Sequence, residues 1–170
     1  MNVFLKWSRR EIPLYQRILL TLPAGIILVG LLPWALLSGL PRLDAALGWP
    51  PFHIYTAIGW ALIALGFPYA FWTVLHQFAR AHGTPLPMMP TQKLLTDGPY
   101  AWSRNPMVFG TLAGYLGVAL LSGSWCSLIL VALFGGGLLG YVKRVEEREL
   151  VLRFGQAYLD YCARTSFLVP

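Results

Sequence analysis

Four nearly uninterrupted apolar runs divide the chain, at about Ile18 to Leu40, His53 to Leu75, Pro106 to Leu121 and Trp125 to Tyr141. A helix of about 20 apolar residues, rising roughly 1.5 Å per residue, crosses a bilayer core, so each run predicts a membrane helix. The last two are short. They predict either a tight hairpin turning at Ser122, Gly123 and Ser124 or a pair lying in a thinner, partly protein-lined part of the bilayer. Beyond Val142 the pattern changes to KRVEERELVLRFGQAYLDY, in which Glu147, Leu150, Val151, Phe154, Tyr158 and Tyr161 share one helical stripe, with Gly155 as its interruption. That is the pattern of a basic amphipathic helix lying on a leaflet surface. The expected fold is all-α: a polytopic membrane helix bundle of about four transmembrane helices plus a cytoplasmic interfacial C-terminal helix.

Composition agrees with this solvent. Of 170 residues, 56% are hydrophobic and 12% charged, and the mean hydropathy is +0.58, outside the range of ordinary soluble domains. The net charge of +6 does not point to nucleic acid, because the cations are not gathered on one face among base-stacking aromatics. They sort by membrane side. With the N-terminus in the cytoplasm, Lys6, Arg9, Arg10, Arg17, Arg80, Lys93, Arg104, Lys143, Arg144, Arg148, Arg153 and Arg164 fall on that side and Arg42 alone falls outside. Both termini are then cytoplasmic, and the expected location is a bacterial inner membrane. Although basic residues precede the first run, it is too long for a secretory signal and lacks a small-residue cleavage site, so it reads as an anchor. Cys126 and Cys162 lie toward opposite faces, excluding a disulfide framework, and the histidines at 53, 76 and 82 have no metal-ligand spacing.

The outer face receives only PRLDAALGWPP and SGS, so the chemistry is expected on the cytoplasmic side, in the link from Arg80 to Asn105 and in the tail. Pro85, Pro87 and Pro90 prevent the link from being helical throughout, and its apolar residues suit a folded lid or pocket wall better than a flexible linker. Gly110, Gly114 and Gly117 form one small-residue stripe and Gly136 with Gly140 a second, both predicting close helix packing. No strand precedes them, which argues against a dinucleotide fingerprint. In TDGPYAWSRNPMVFG, Asn105 is a suitable N-cap and Pro106 a suitable first helical residue. The free amides of that helix start, with Arg104 beside them, make an anion cradle. Tyr100 and Trp102 add flat apolar surface, and a bundle returning Glu146 and Glu147 to the same interface adds carboxylates. S-adenosylmethionine has matching parts: a carboxylate, an ammonium, a heteroaromatic ring and a sulfonium. Taken singly, each element also has a structural explanation, as a charge anchor, an interfacial aromatic, or an i, i+4 pair such as Lys143 with Glu147 or Glu149 with Arg153.

The runs GTPLPMMPTQKLLTDGPYAWSRNPMVFG and EERELVLRFGQAYLDY together resemble the isoprenylcysteine carboxyl methyltransferase family and its phospholipid methyltransferase relatives, over about Gly83 to Tyr161. The resemblance implies a membrane methyltransferase using S-adenosylmethionine, with residues 1–79 as a two-helix anchor and 80–170 as the cofactor-binding core of a single membrane domain. It assigns Gln92, Lys93, Leu94, Leu95, Tyr100, Asn105, Pro106, Met107, Val108 and Glu146 to the cofactor. The residues expected in catalysis are Arg104, Arg144 and Glu147, with Glu147 or Glu146 the nearest proton acceptor if the acceptor is an amine or thiol. Asparagine at 105 and valine at 108 replace the histidine and tyrosine of the eukaryotic prenylcysteine enzymes, and the arginine that meets the prenylcysteine carboxylate falls on Val142, leaving Lys143 or Arg144 as its substitute. The implied acceptor is lipophilic: an isoprenylcysteine-like or other acid, an amine or a thiol. Membrane lipids are the surrounding partners, and the sequence does not fix the oligomeric state. Two other classes share parts of the pattern: NADPH-dependent membrane sterol-type reductases, and a non-catalytic scaffold or lipid-binding subunit.

Overall fold

The structure, a computed structural model, describes residues 14–53, 56–80 and 93–170. Five helices account for most of them. Helix α1 starts at Leu14 and its Leu22–Ala46 part is apolar and long enough to cross a membrane; α2 is Thr56–Arg80, α3 Pro106–Ser122, α4 Trp125–Phe154 and α5 Gln156–Arg164. Three are full spans by length and composition. At 17 residues, α3 reaches only about 26 Å and is the shorter apolar helix packed among them. The chain is thus a multi-pass helical membrane protein.

Three boundaries differ from the sequence reading, the simplest at α2, which runs past Leu75 to Arg80. Helix α1 does not end near Leu40 but runs through PRLDAA to Ala46, because Pro33 and Pro41 each follow a π-helical turn, Ile26–Leu31 and Ala35–Gly39. The wider turn changes the hydrogen-bond register where a proline supplies no amide donor. Helix α4 likewise does not stop at Tyr141. It continues through a third π-helical turn, Val142–Glu146, to Phe154. The first half of the basic tail therefore extends a membrane helix, and only α5 is a separate amphipathic helix. Gly155, at φ +55°, makes the break between them, in a region of backbone space that glycine enters without steric cost.

Helices α2 and α3 pack closely along glycines. A Cβ added at Gly66 would lie 2.6 Å from the Gly110 carbonyl oxygen, and one at Gly117 would lie 2.6 Å from that of Gly59. Gly136 and Gly140 of α4 have nothing within 4 Å of such a Cβ, so the second glycine stripe makes no close contact among the described residues. Gly66→Ala is expected to destabilise the fold by about 1–3 kcal/mol through overpacking, whereas Gly136→Ala leaves the melting temperature in detergent essentially unchanged.

Leu36, Tyr115, Val118, Ala119 and Val131 form the core where α1, α3 and α4 meet. Tyr115 packs edge-on against Phe67 and Phe134, and its hydroxyl donates to the Leu28 carbonyl. At the far end from the TDGPY motif, Gly123 at φ +63° turns the chain and Ser124 caps α4 by accepting from the Ser127 amide. The buried Asp44 carboxylate accepts from the Cys126 amide at 3.1 Å, placing negative charge at the positive end of α4. Val29, Leu65 and Leu133, all strongly exposed, point away from this core, as lipid-facing side chains do.

Candidate active site

At the other end of the bundle, α2 anchors the motif before α3. Asp97 accepts from or pairs with the His76 ring, Nε2 to Oδ1 3.0 Å, and with Arg80, Nη1 to Oδ2 3.3 Å. The Tyr69 hydroxyl donates to the Pro99 carbonyl at 3.4 Å. Gly98 takes φ +57° to enter a 3₁₀ turn over Gly98–Ala101, and a Cβ there would meet the His76 ring at 2.8 Å. Its glycine is thus required twice, for backbone angle and for space.

The hydrogen bond from His76, with added attraction from the His76 and Arg80 charges, holds the Asp97 carboxyl below its ordinary range. A depressed folded value means that the stabilisation is complete above the unfolded carboxylate value of about 3.9 and is lost as pH falls through the lower folded value. Asp97→Asn is therefore expected to melt below the wild type at pH 7 and to converge with it as the pH approaches about 3. Parallel melting curves across that range would contradict the clasp.

Helix α3 begins at Pro106, preceded by Asn105 in the N-cap position. The Asn105 side chain does not cap the helix; its amide donates to the Phe167 carbonyl at 2.8 Å. Next to it, Arg104 Nη1 lies 2.8 Å from Glu147 Oε1, the two side chains being 11% and 12% exposed, and Lys143 Nζ lies 2.7 Å from Glu147 Oε2. The start of α3 and the π-turned section of α4 thus meet through opposite charges. Among the described residues, Arg104 Nε and Glu147 Oε1 are buried without an aligned hydrogen-bond partner, so the short approach at Oε1 is a charge contact. Arg104 Nη1 also approaches Cys162 Sγ at 2.6 Å.

Behind the pair, the Tyr161 hydroxyl donates to the Tyr100 carbonyl at 2.6 Å. Burial pushes the phenols of Tyr100, Tyr158 and Tyr161 far above their ordinary value, so all three act as neutral groups at physiological pH. An open groove of about 500 Å³ runs alongside, lined by Lys143, Glu147, Val151, Tyr158, Leu159 and Cys162 among others.

Of the residues singled out by sequence, Gln92 lies outside the described residues, Lys93 is exposed, and Leu94 and Leu95 are half-buried on the approach to the turn. Tyr100, Asn105 and Met107 are half-buried, and Pro106 and Val108 are buried. Glu146 and Arg144 are exposed on the π-helical turn, whose first residue, Val142, is 2% exposed. Lys143, rather than Arg144, reaches Glu147. The geometry brings Arg104, Asn105, Lys143 and Glu147 together. It also adds His76, Asp97, Cys162 and Phe167, which sequence reasoning missed. Asp97 carried a signal in its place beside the turn-forming Gly98–Pro99, and Phe167 in its place within the apolar SFLVP that follows a polar helix.

A helical membrane enzyme, with a charged pair and an open, largely apolar groove at one end of the bundle, is the class that these features define. The model of the phospholipid methyltransferase family matches residues 54–157, and the chain belongs to that family. It is a membrane methyltransferase that uses S-adenosylmethionine. The match starts beside α2 and takes in the clasp, α3 and α4, including both sides of the Arg104–Glu147 pair. No curated protein and no solved structure matches the chain.

Proposed function

We propose that the chain methylates a lipophilic acceptor that enters from the bilayer, at a site between the TDGPY link and the π-turned section of α4. The observation that carries this reading is the Arg104–Glu147 contact at 2.8 Å, which joins the two segments that the family resemblance assigns to the cofactor. The residues fit the cofactor: the first-turn amides of α3, at Met107 and Val108, lack intrahelical partners and suit its carboxylate, and the exposed Glu146 carboxylate suits its ammonium. When bound, S-adenosylmethionine supplies an electrophilic methyl group, so the chain's own task is mainly positioning, at about 3 to 3.5 Å.

In this proposal Glu146, Tyr100 and the start of α3, Asn105 to Val108, line the cofactor site, with Gln92 to Leu95 completing its wall. Arg104 and Lys143, with Arg144 beside them, orient the acceptor's polar end. Glu147, with both oxygens facing cations, fixes Arg104 and Lys143 in place. The groove beside them takes the acceptor's apolar part. A carboxylate acceptor needs no general base, and the surplus of cations favours an acidic group over an amine. The motif end of the bundle carries Arg80, Lys93, Arg104, Lys143, Arg144, Arg148, Arg153 and Arg164 against Arg42 near the other end, which supports a cytoplasmic site.

The test is incubation of the purified chain with methyl-labelled S-adenosylmethionine and a whole lipid extract. Label in a base-labile ester of a lipophilic acid is expected. Label confined to base-stable amines would redirect the acceptor class, and label in no lipid would overturn the reading.

A further inference from the structure

The segment after α5 is built into the site and lies beyond the family match, which ends at 157. It runs parallel to the residues before α3, bridging Ser103 and Ser166. The Arg104 amide donates to the Ser166 carbonyl at 2.9 Å, the Ser103 hydroxyl to the Leu168 carbonyl at 2.9 Å, and the Asn105 side-chain amide to the Phe167 carbonyl at 2.8 Å. The Ser166 hydroxyl returns a bond to the Trp102 carbonyl at 3.1 Å. Ser103 is fully buried beneath the segment, so removing it would strand polar groups that the fold has taken from water.

These bonds hold the strap by its backbone, which leaves the Phe167 side chain for another role. Its ring carries two cations: the Arg104 guanidinium carbon lies 5.6 Å from the ring centroid and Lys143 Nζ lies 4.9 Å from it. Those are the two cations that grip the Glu147 carboxylate. An aromatic face attracts cations through its quadrupole and fixes where they sit. One ring thus sets the separation of a cation from the start of α3 and a cation from α4.

We infer that Phe167 is a positioning residue for methyl transfer, holding Arg104 and Lys143 on either side of Glu147 so that the acceptor's polar group meets a fixed pair of cations. The inference rests on the proposed site and adds the C-terminal strap to it. Because the strap is tied down by backbone carbonyls and Ser166, changing the Phe167 side chain leaves its attachment in place.

The test compares wild type, Phe167→Leu, Phe167→Ala, Phe167→Tyr and Phe167→Trp in labelled methyl transfer to the lipid extract at varied S-adenosylmethionine, with melting temperatures measured alongside. Leucine keeps an apolar side chain and lacks the aromatic face. Phe167→Leu is expected to lower the maximal rate by about tenfold, a scale set by two cation–aromatic contacts, while the KM for S-adenosylmethionine changes less than about threefold. Phe167→Tyr and Phe167→Trp are expected to restore most of the rate. Wild-type rates in Phe167→Leu overturn the inference alone. So does a loss of rate in every variant that follows its loss of melting temperature, since that describes a purely structural residue. A wild type that transfers no label defeats the proposed function itself, and the inference with it.

Discussion

Glu147→Gln is expected to abolish methyl transfer and to lower stability by about 3 kcal/mol, because it leaves the Arg104 guanidinium facing a neutral amide in a poorly solvated place. Both partners of the pair are nearly nine-tenths buried, so water does little to compensate. Removing both charges should separate packing from chemistry. Arg104→Met combined with Glu147→Leu is expected to recover much of the lost stability, as apolar replacements of buried pairs commonly do, and to recover no activity. Melting temperature in detergent and labelled methyl transfer, read on the same preparations, make the comparison. A double variant that regains transfer would show that the pair only joins α3 to α4.

Glu146→Gln should behave in the opposite way. Glu146 is exposed on the π-helical turn of α4, so its charge is not expected to hold the fold together, and the melting temperature should stay near that of the wild type. Affinity for the cofactor is expected to fall by about ten- to a hundredfold, the range corresponding to one charge-assisted hydrogen bond of about 1.5 to 3 kcal/mol. Titration calorimetry with S-adenosylhomocysteine gives the affinity directly. Unchanged affinity would remove Glu146 from the site, and a joint loss of affinity and fold would make it structural.

The contrast between these neighbouring carboxylates was only half legible in the sequence. Apolar run lengths gave the helices, Pro106 the start of α3, Gly123 and Gly155 the two breaks, and i, i+4 spacing the Lys143–Glu147 and Glu149–Arg153 contacts, because each depends on residues close in the chain. The return of Glu146 and Glu147 to the face of Arg104 followed from counting membrane crossings. That Arg104 would be held by Glu147 rather than lie free beside the helix start did not follow, since it depends on the π-helical turn over Val142–Glu146, for which no sequence pattern was available. The same local logic misjudged Asn105. Its residue type suits a cap, but the Phe167 carbonyl, 62 positions along the chain, takes its amide. In sequence Asp44 is likewise a loop acid, and only the fold sets it against the Cys126 amide at the start of α4. Of the two glycine stripes, one met a partner helix and one did not. A stripe records that close approach is permitted, while the neighbour is decided by the bundle.

The proposed site holds S-adenosylmethionine between the turn before α3 and the π-turned section of α4. Ultraviolet cross-linking of the labelled cofactor to the purified protein, followed by peptide mapping, tests it most directly. Label competed by S-adenosylhomocysteine and confined to peptides spanning 93–108 and 142–154 is the result this account requires. Competed label in peptides from the opposite end of the bundle, around Asp44 and Trp125, would contradict it.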